Sequence, residues 1–152
     1  MARYCIDLYF DKKLGREELL GRITTMAGCQ RVPDEPDTYY FEHVHLSLCH
    51  LPQSRTSDEI RQATGLEVND FHLEVYVHTA ADVAFEERWD RVLDLLAGGE
   101  NAVAVHESEW VLLVQRNGQL TLDNTGEMLS PCYRDYILSK RPAQLESLGR
   151  LG

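Results

Sequence analysis

Lysine is scarce in this chain: of 152 residues, only Lys12, Lys13 and Lys140 carry an ammonium side chain. With 15 basic against 25 acidic residues, the formal net charge is −10. Such a chain repels a phosphate backbone, which argues against direct nucleic-acid binding. Long apolar runs are missing, and none approaches the roughly 20 residues of a bilayer span. The first residues lack the pattern of a secretory signal, because Asp7 interrupts the apolar stretch too soon. The four cysteines, Cys5, Cys29, Cys49 and Cys132, form no Cys-x-x-Cys pair. That spacing excludes a zinc ribbon and a thioredoxin-type redox motif, and the expectation is reduced thiols in a cytoplasmic protein. There is no Gly-x-Ser-x-Gly elbow, and Gly98-Gly99 is followed by Glu100, which would repel phosphate.

What is present is the composition of one folded domain, 43% hydrophobic and 26% charged. The acidity is uneven. From Asp82 to Glu109 there are eight acids, answered only by Arg88 and Arg91, whereas residues 131–152 carry a net charge of +2. An acidic body favours a basic protein partner.

Hydrophobic periodicity divides the chain. Tyr4, Ile6, Leu8 and Phe10 alternate with Cys5, Asp7 and Tyr9, the period of a half-buried strand. Residues 16–27 predict a helix, with Leu19, Leu20, Ile23 and Ala27 on one face and Gly28 as a left-handed cap. After the turn at 33–37, a strand starts at Phe41, with Val44, Leu46 and Leu48 on one side and His43, His45, Ser47 and Cys49 on the other, and Pro52 ends it. Thr56 and Glu59 match a capping box opening a short helix that Gly65 closes. A strand over 67–78 sets Phe71, Leu73, Val75 and Val77 against His72, Glu74, Tyr76 and His78. Residues 83–97 form the clearest helix, with Phe85, Trp89, Val92, Leu93 and Leu96 at helical spacing. A strand at 102–105, a turn at Glu107-Ser108, a strand apolar on both faces at 110–114 and an Asn117-Gly118 hairpin complete the pattern. Beyond Gly126 the pattern weakens.

This order predicts an α+β fold, a mostly antiparallel sheet with helices packed on one face as a two-layer sandwich. Residues 1–139 form its single domain, and 140–152 form a C-terminal tail or short helix.

The candidate chemistry lies on the strand faces turned away from the core. Residues two apart on a strand share a face. His43 with His45, and His72 with His78, therefore join Asp7, Tyr9, Glu74 and Tyr76 on one surface. Amphipathic rings with polar tips suit a protein interface, and Glu86, Glu87 and Asp90 add an acidic ridge on the 83–97 helix. These eleven residues are the candidate partner-binding set. The alternative is a metal site with His43, His45 and His72 as ligands and Glu74 as base. Cys49 and His50 would point to opposite faces of a strand, so a Cys–His nucleophile pairing would have to join Cys49 to His72 or His78 across strands.

The block from Asn101 to Asn124 carries a resemblance. Asn101-Ala102-Val103, then the apolar strand after Glu109, then Arg116-Asn117-Gly118-Gln119-Leu120 is similar to a strand-turn-strand-hairpin block of the swarming-inhibition (Sit) immunity proteins of myxobacteria. The opening strand and the Glu17-Glu18-Leu19-Leu20 helix match in outline. The resemblance implies a non-enzymatic cytoplasmic protein without a cofactor, a monomer or weak dimer, that binds and neutralises a cognate toxin. A toxin acting on nucleic acid would be basic, and an acidic inhibitor would be steered towards it.

Overall fold

A computed structural model describes residues 5–49, 54–125 and 128–151; Tyr4, Pro52 and Gly126 lie outside them. The elements run β1 (Cys5–Phe10), α1 (Arg16–Thr24), β2 (Gln30–Arg31), β3 (Thr38–Tyr40), β4 (Val44–Cys49), α2 (Ser54–Thr64), β5 (His72–Val77), α3 (Asp82–Leu96), β6 (Ala102–His106), β7 (Trp110–Arg116), β8 (Gln119–Asp123), α4 (Pro131–Lys140) and β9 (Gln144–Glu146). One nine-stranded sheet takes the order β2-β3-β4-β5-β1-β6-β7-β8-β9. Among the described residues, only β8 and β9 pair in parallel. The fold is α+β, and no helix among the described residues is long and apolar enough to cross a membrane.

Alternation along the strands builds two cores. Ile6, Leu8 and Phe10 of β1, with Val44, Leu46, Leu73, Val75 and Leu122, pack against Leu19 and Ile23 of α1, Trp89 and Val92 of α3 and Ile137 of α4. The intervening Tyr9, with Val103, Val105, Val111 and Val114, packs on the other side with Ile60 of α2, Leu66, Val68 and Leu151. Three helices thus share one face, and α2 lies on the opposite one. This explains why β1 is buried at every position. A bulge opposite Ala104/Val105 inserts one residue into β7. It lets Leu112 and Leu113 both join the helix-side core while Val111 and Val114 keep facing the other side.

Several boundaries depart from the sequence pattern for local reasons. Helix α1 stops at Thr24 rather than at 27, where the Thr24 and Thr25 hydroxyls donate back to the Gly21 and Arg22 carbonyls. Gly28, with φ 83°, lies in the turn beyond. Helix α2 begins at Ser54, so Thr56 and Glu59 are interior rather than a capping box; Ser57 Oγ instead donates to Asp70. The strand expected over 67–78 shortens to β5, because Asn69 leaves the ladder to donate to the Asp11 and Leu14 carbonyls. The strand expected from Phe41 is a hairpin: β3 and β4 flank a turn closed by Phe41 N donating to Val44 O at 2.8 Å. The Asn117-Gly118 turn has both residues at positive φ, as a type I′ turn requires.

The C-terminal segment is neither a tail nor a short helix. Ser130 caps α4, and the chain then returns as β9 beside β8. The buried carboxylate of Asp123 accepts from Leu148 N at 3.0 Å, Arg150 pairs with Glu109, and Leu151 is buried. Gln144-Leu145-Glu146 is exposed and too short to show periodicity, so backbone pairing alone makes it a strand. A chain ending at Lys140 is expected to lose about 3 kcal/mol or more. Leu151 burial contributes about 1.5–3 kcal/mol, and loss of the Leu148 N–H bond to Asp123, which keeps the Thr125 hydroxyl as a donor, costs about 1 kcal/mol more. Urea denaturation of the truncated chain measures the loss.

Candidate functional site

Strand register lays out the face opposite α1, α3 and α4 in rows. Tyr40 on β3 stands opposite His45 on β4, and His45 opposite Tyr76 on β5. Tyr76 in turn faces Cys5 on β1. The next row runs Thr38, Ser47, Glu74, Asp7 and Val105. Antiparallel pairing thereby gathers side chains that are far apart in sequence.

The outer row is a stack of rings. His45 and Tyr76 are nearly parallel, 14° apart with centroids at 4.8 Å. Tyr40 leans on His45 at 5.2 Å, and His78 stacks on His45 with its Nε2 3.1 Å from His45 Nδ1. The Tyr40 hydroxyl donates to Glu35. Tyr40, His45 and Tyr76 are half-buried, and His78, Glu35 and Glu42 are exposed. Burial, and then the neighbouring His78, hold the His45 imidazole below its ordinary range.

The inner part is polar and closed. Tyr9 is fully buried and stacks on His72 at 5.0 Å. His72 is only 4% exposed; its Nε2 lies 3.7 Å from Asp7 Oδ1 and 3.6 Å from Glu74 Oε2. Cys5 Sγ donates to Asp7 Oδ1 at 3.5 Å, and Ser108 Oγ donates to Asp7 Oδ2 at 3.3 Å. Ser108 reaches Asp7 from a turn in which Glu107 and Ser108 both take positive φ, a conformation costly for residues with a side chain. Burial raises the Cys5 thiol and the Asp7 carboxyl. The neighbouring His72 holds Glu74 low.

Of the eleven candidate partner-binding residues, seven share this face: Asp7, Tyr9, His45, His72, Glu74, Tyr76 and His78. Tyr9, His72 and Asp7 are buried there and offer no contact surface. His43 is not beside His45. It occupies the β3–β4 turn, and its backbone N–H donates to Glu87 on α3 at 2.6 Å. The His43/His45/His72 ligand set is therefore not assembled. Glu86, Glu87 and Asp90 belong to α3 on the other side of the sheet. Glu87 also pairs with Arg91, and Asp90 accepts from the Tyr136 hydroxyl, so these two carboxylates are engaged within the molecule. Tyr40, Glu35 and Cys5 were missed as site residues; for Tyr40 the signal was the second aromatic of Tyr39-Tyr40 before the turn. Among the described residues, one group has three donor atoms close enough for a metal ion: Cys5, Asp7 and Glu74, within 4.8 Å of one another. Cys49 stands opposite His72 in the β4–β5 ladder, and no hydrogen bond joins the two among the described residues.

The groups around His45 and Glu74 give stability a pH dependence. A depressed folded-state pKa means that the unfolded chain takes up a proton the folded chain resists. Stability is then complete above the ordinary His45 value of 6.5 and falls as pH drops below it. Glu74 adds a further fall below its ordinary 4.5. Asp7, raised, acts in the opposite direction, stabilising at acid pH and losing that contribution as pH rises through its folded value. Between pH 7 and 5.5 the His45 contribution is destabilising. Urea midpoints should fall over that interval, and His45→Gln should flatten the slope.

The class so defined is an α+β protein with a ring-rich sheet face over a buried Cys-Asp-His-Glu cluster. No family model, curated protein or solved structure matches this chain.

Proposed function

We propose that this chain is a non-enzymatic binding protein that docks a basic protein through the row Tyr40, His45, Tyr76 and His78, in the manner of an immunity protein neutralising a toxin in the cytoplasm. The row itself carries the reading: three rings gathered round His45 on a sheet face, Tyr40 and Tyr76 half-buried and His78 exposed, with rigid apolar surface and polar tips. Glu35 and Glu42 at its margin and a net charge of −10 set the sign of the partner, because opposite potentials steer association. The similarity of the Asn101–Asn124 block to the Sit immunity proteins supplies the toxin as the kind of partner. The test is co-expression with the product of the neighbouring reading frame and isolation of the complex by size exclusion. A stoichiometric complex that weakens with salt, and that His45→Ala/Tyr76→Ala disrupts, is the expected result. A complex indifferent to that double variant would remove the ring row from the interface.

A metal-dependent reading is favoured by one different observation, the proximity of Cys5, Asp7 and Glu74.

A further inference from the structure

Beneath the ring row, β1 and β5 place Asp7 opposite Glu74, with Cys5 one step along the same face. A thiol and two carboxylates meet there, and among the described residues neither carboxylate forms an ion pair with a lysine or arginine. Among the described residues, the imidazole that faces both carboxylates is His72. Its side chain is 4% exposed and its Nδ1 is buried with no hydrogen-bond partner among the described residues. Its Nε2 faces both carboxylates at 3.6 and 3.7 Å, longer than a good hydrogen bond.

These separations have a simple geometric meaning. With Zn–O and Zn–N near 2.0 Å and Zn–S near 2.3 Å, the edges of a tetrahedron around zinc come to about 3.3–3.5 Å. Cys5 Sγ lies 3.5 Å from Asp7 Oδ1, and the same oxygen is 3.7 Å from His72 Nε2. Glu74 Oε2 is 3.6 Å from that nitrogen. Cys5, Asp7 and Glu74 each have a donor atom within 4.8 Å of the others; His72 Nε2, close to both carboxylates, lies outside that group of three and would have to move to join them round one ion. The donor types, one sulfur, one imidazole and two carboxylate oxygens, suit a borderline divalent cation rather than calcium or magnesium.

We propose that Cys5, Asp7, Glu74 and His72 form a binding site for Zn2+ or a similar divalent transition-metal ion, joining β1 to β5. The ion takes the place of the proton that burial keeps on the Cys5 thiol, and this proton leaves to solvent as the metal–sulfur bond forms. No electron transfer is involved. Ser108, donating to the second oxygen of Asp7, fixes the orientation of that ligand as an outer partner. The inference is independent of the docking reading, since metal alone is the probe.

The experiment is a titration of the full-length untagged chain, stripped with chelator, by Co2+ and then Zn2+ at neutral pH. One equivalent of Co2+ should bind with the visible absorption of a tetrahedral site and a thiolate-to-metal band in the near ultraviolet. Zn2+ should displace it, and calorimetry in buffers of different ionisation enthalpy should show proton release. Cys5→Ser should abolish the thiolate band, and Asp7→Asn and Glu74→Gln should each weaken binding at least tenfold; far-ultraviolet circular dichroism identifies variants that fold. Should Cys5→Ser fail to fold, the two isosteric amide variants decide the matter. Absence of saturable binding overturns the site. So does binding kept in these variants and lost in His45→Ala/His78→Ala, which would place the ion on the surface imidazole pair.

Discussion

Alanine at both His45 and Tyr76 is expected to weaken partner binding by about thirtyfold or more, the loss of one interface hot spot of about 2 kcal/mol. The two rings are nearly parallel, at 4.8 Å, and His45 also bonds His78. Their removal therefore collapses the row that Tyr40 and His78 complete. The opposite side of the same strands, with Val44, Leu46, Val75 and Val77, packs into the helix-side core and is untouched. The double variant should accordingly keep its circular dichroism and lose affinity mainly through faster dissociation. Charge works on the other rate: Glu42→Lys, on an exposed side chain at the margin, should slow association and reduce its salt dependence. Surface plasmon resonance separates the two effects. Unchanged dissociation in His45→Ala/Tyr76→Ala would sink the docking surface proposed here.

Trp89→Ala should destabilise the fold by about 3–5 kcal/mol, a large share of the 5–15 kcal/mol typical of a domain. Trp89 is fully buried at the middle of α3, where that helix meets the sheet. No neighbouring residue can refill the volume, because Leu95, Leu96 and Val92 are already fixed in the same core. The indole nitrogen is buried with no hydrogen-bond partner among the described residues, so Trp89→Phe removes an unsatisfied donor while keeping most of the ring. It should cost well under half as much as alanine. Chemical denaturation of both variants measures the difference, and equal losses would mean that the indole N–H is satisfied in solution.

Much of the architecture was legible because alternation and helical spacing are local properties. Ile6-Leu8-Phe10, Val44-Leu46-Leu48 and Leu73-Val75-Val77 announced their strands, and Trp89 with Val92 and Leu96 announced α3. Asn117-Gly118 fixed its hairpin through the φ values that a type I′ turn demands. Even the ring face was visible in outline, since residues two apart on a strand must share a side. What was not legible depended on pairing partners. The turn at Phe41–Val44 took His43 off the strand, because Phe41 is itself buried. The position of α2 across the sheet from the other helices decided that Tyr9 and His72 would be covered. The C-terminal strand has no apolar alternation, and partners distant in sequence hold its segment: β8, the buried Asp123, and Glu109, which meets Arg150 and Leu151.

The sequence by itself determined the α+β class, an acidic molecule, the hydrophobic face of each main strand and helix, and a second face rich in histidine and tyrosine. Tertiary structure alone decided which of those rings meet and which remain accessible. It also decided that Cys5 and Asp7 of the first strand would stand beside Glu74 and His72 of the fifth. The physical reason is that side-chain period is encoded within each segment, whereas register and layer are fixed by contacts between segments. Those contacts are settled only when the whole sheet closes around its two cores.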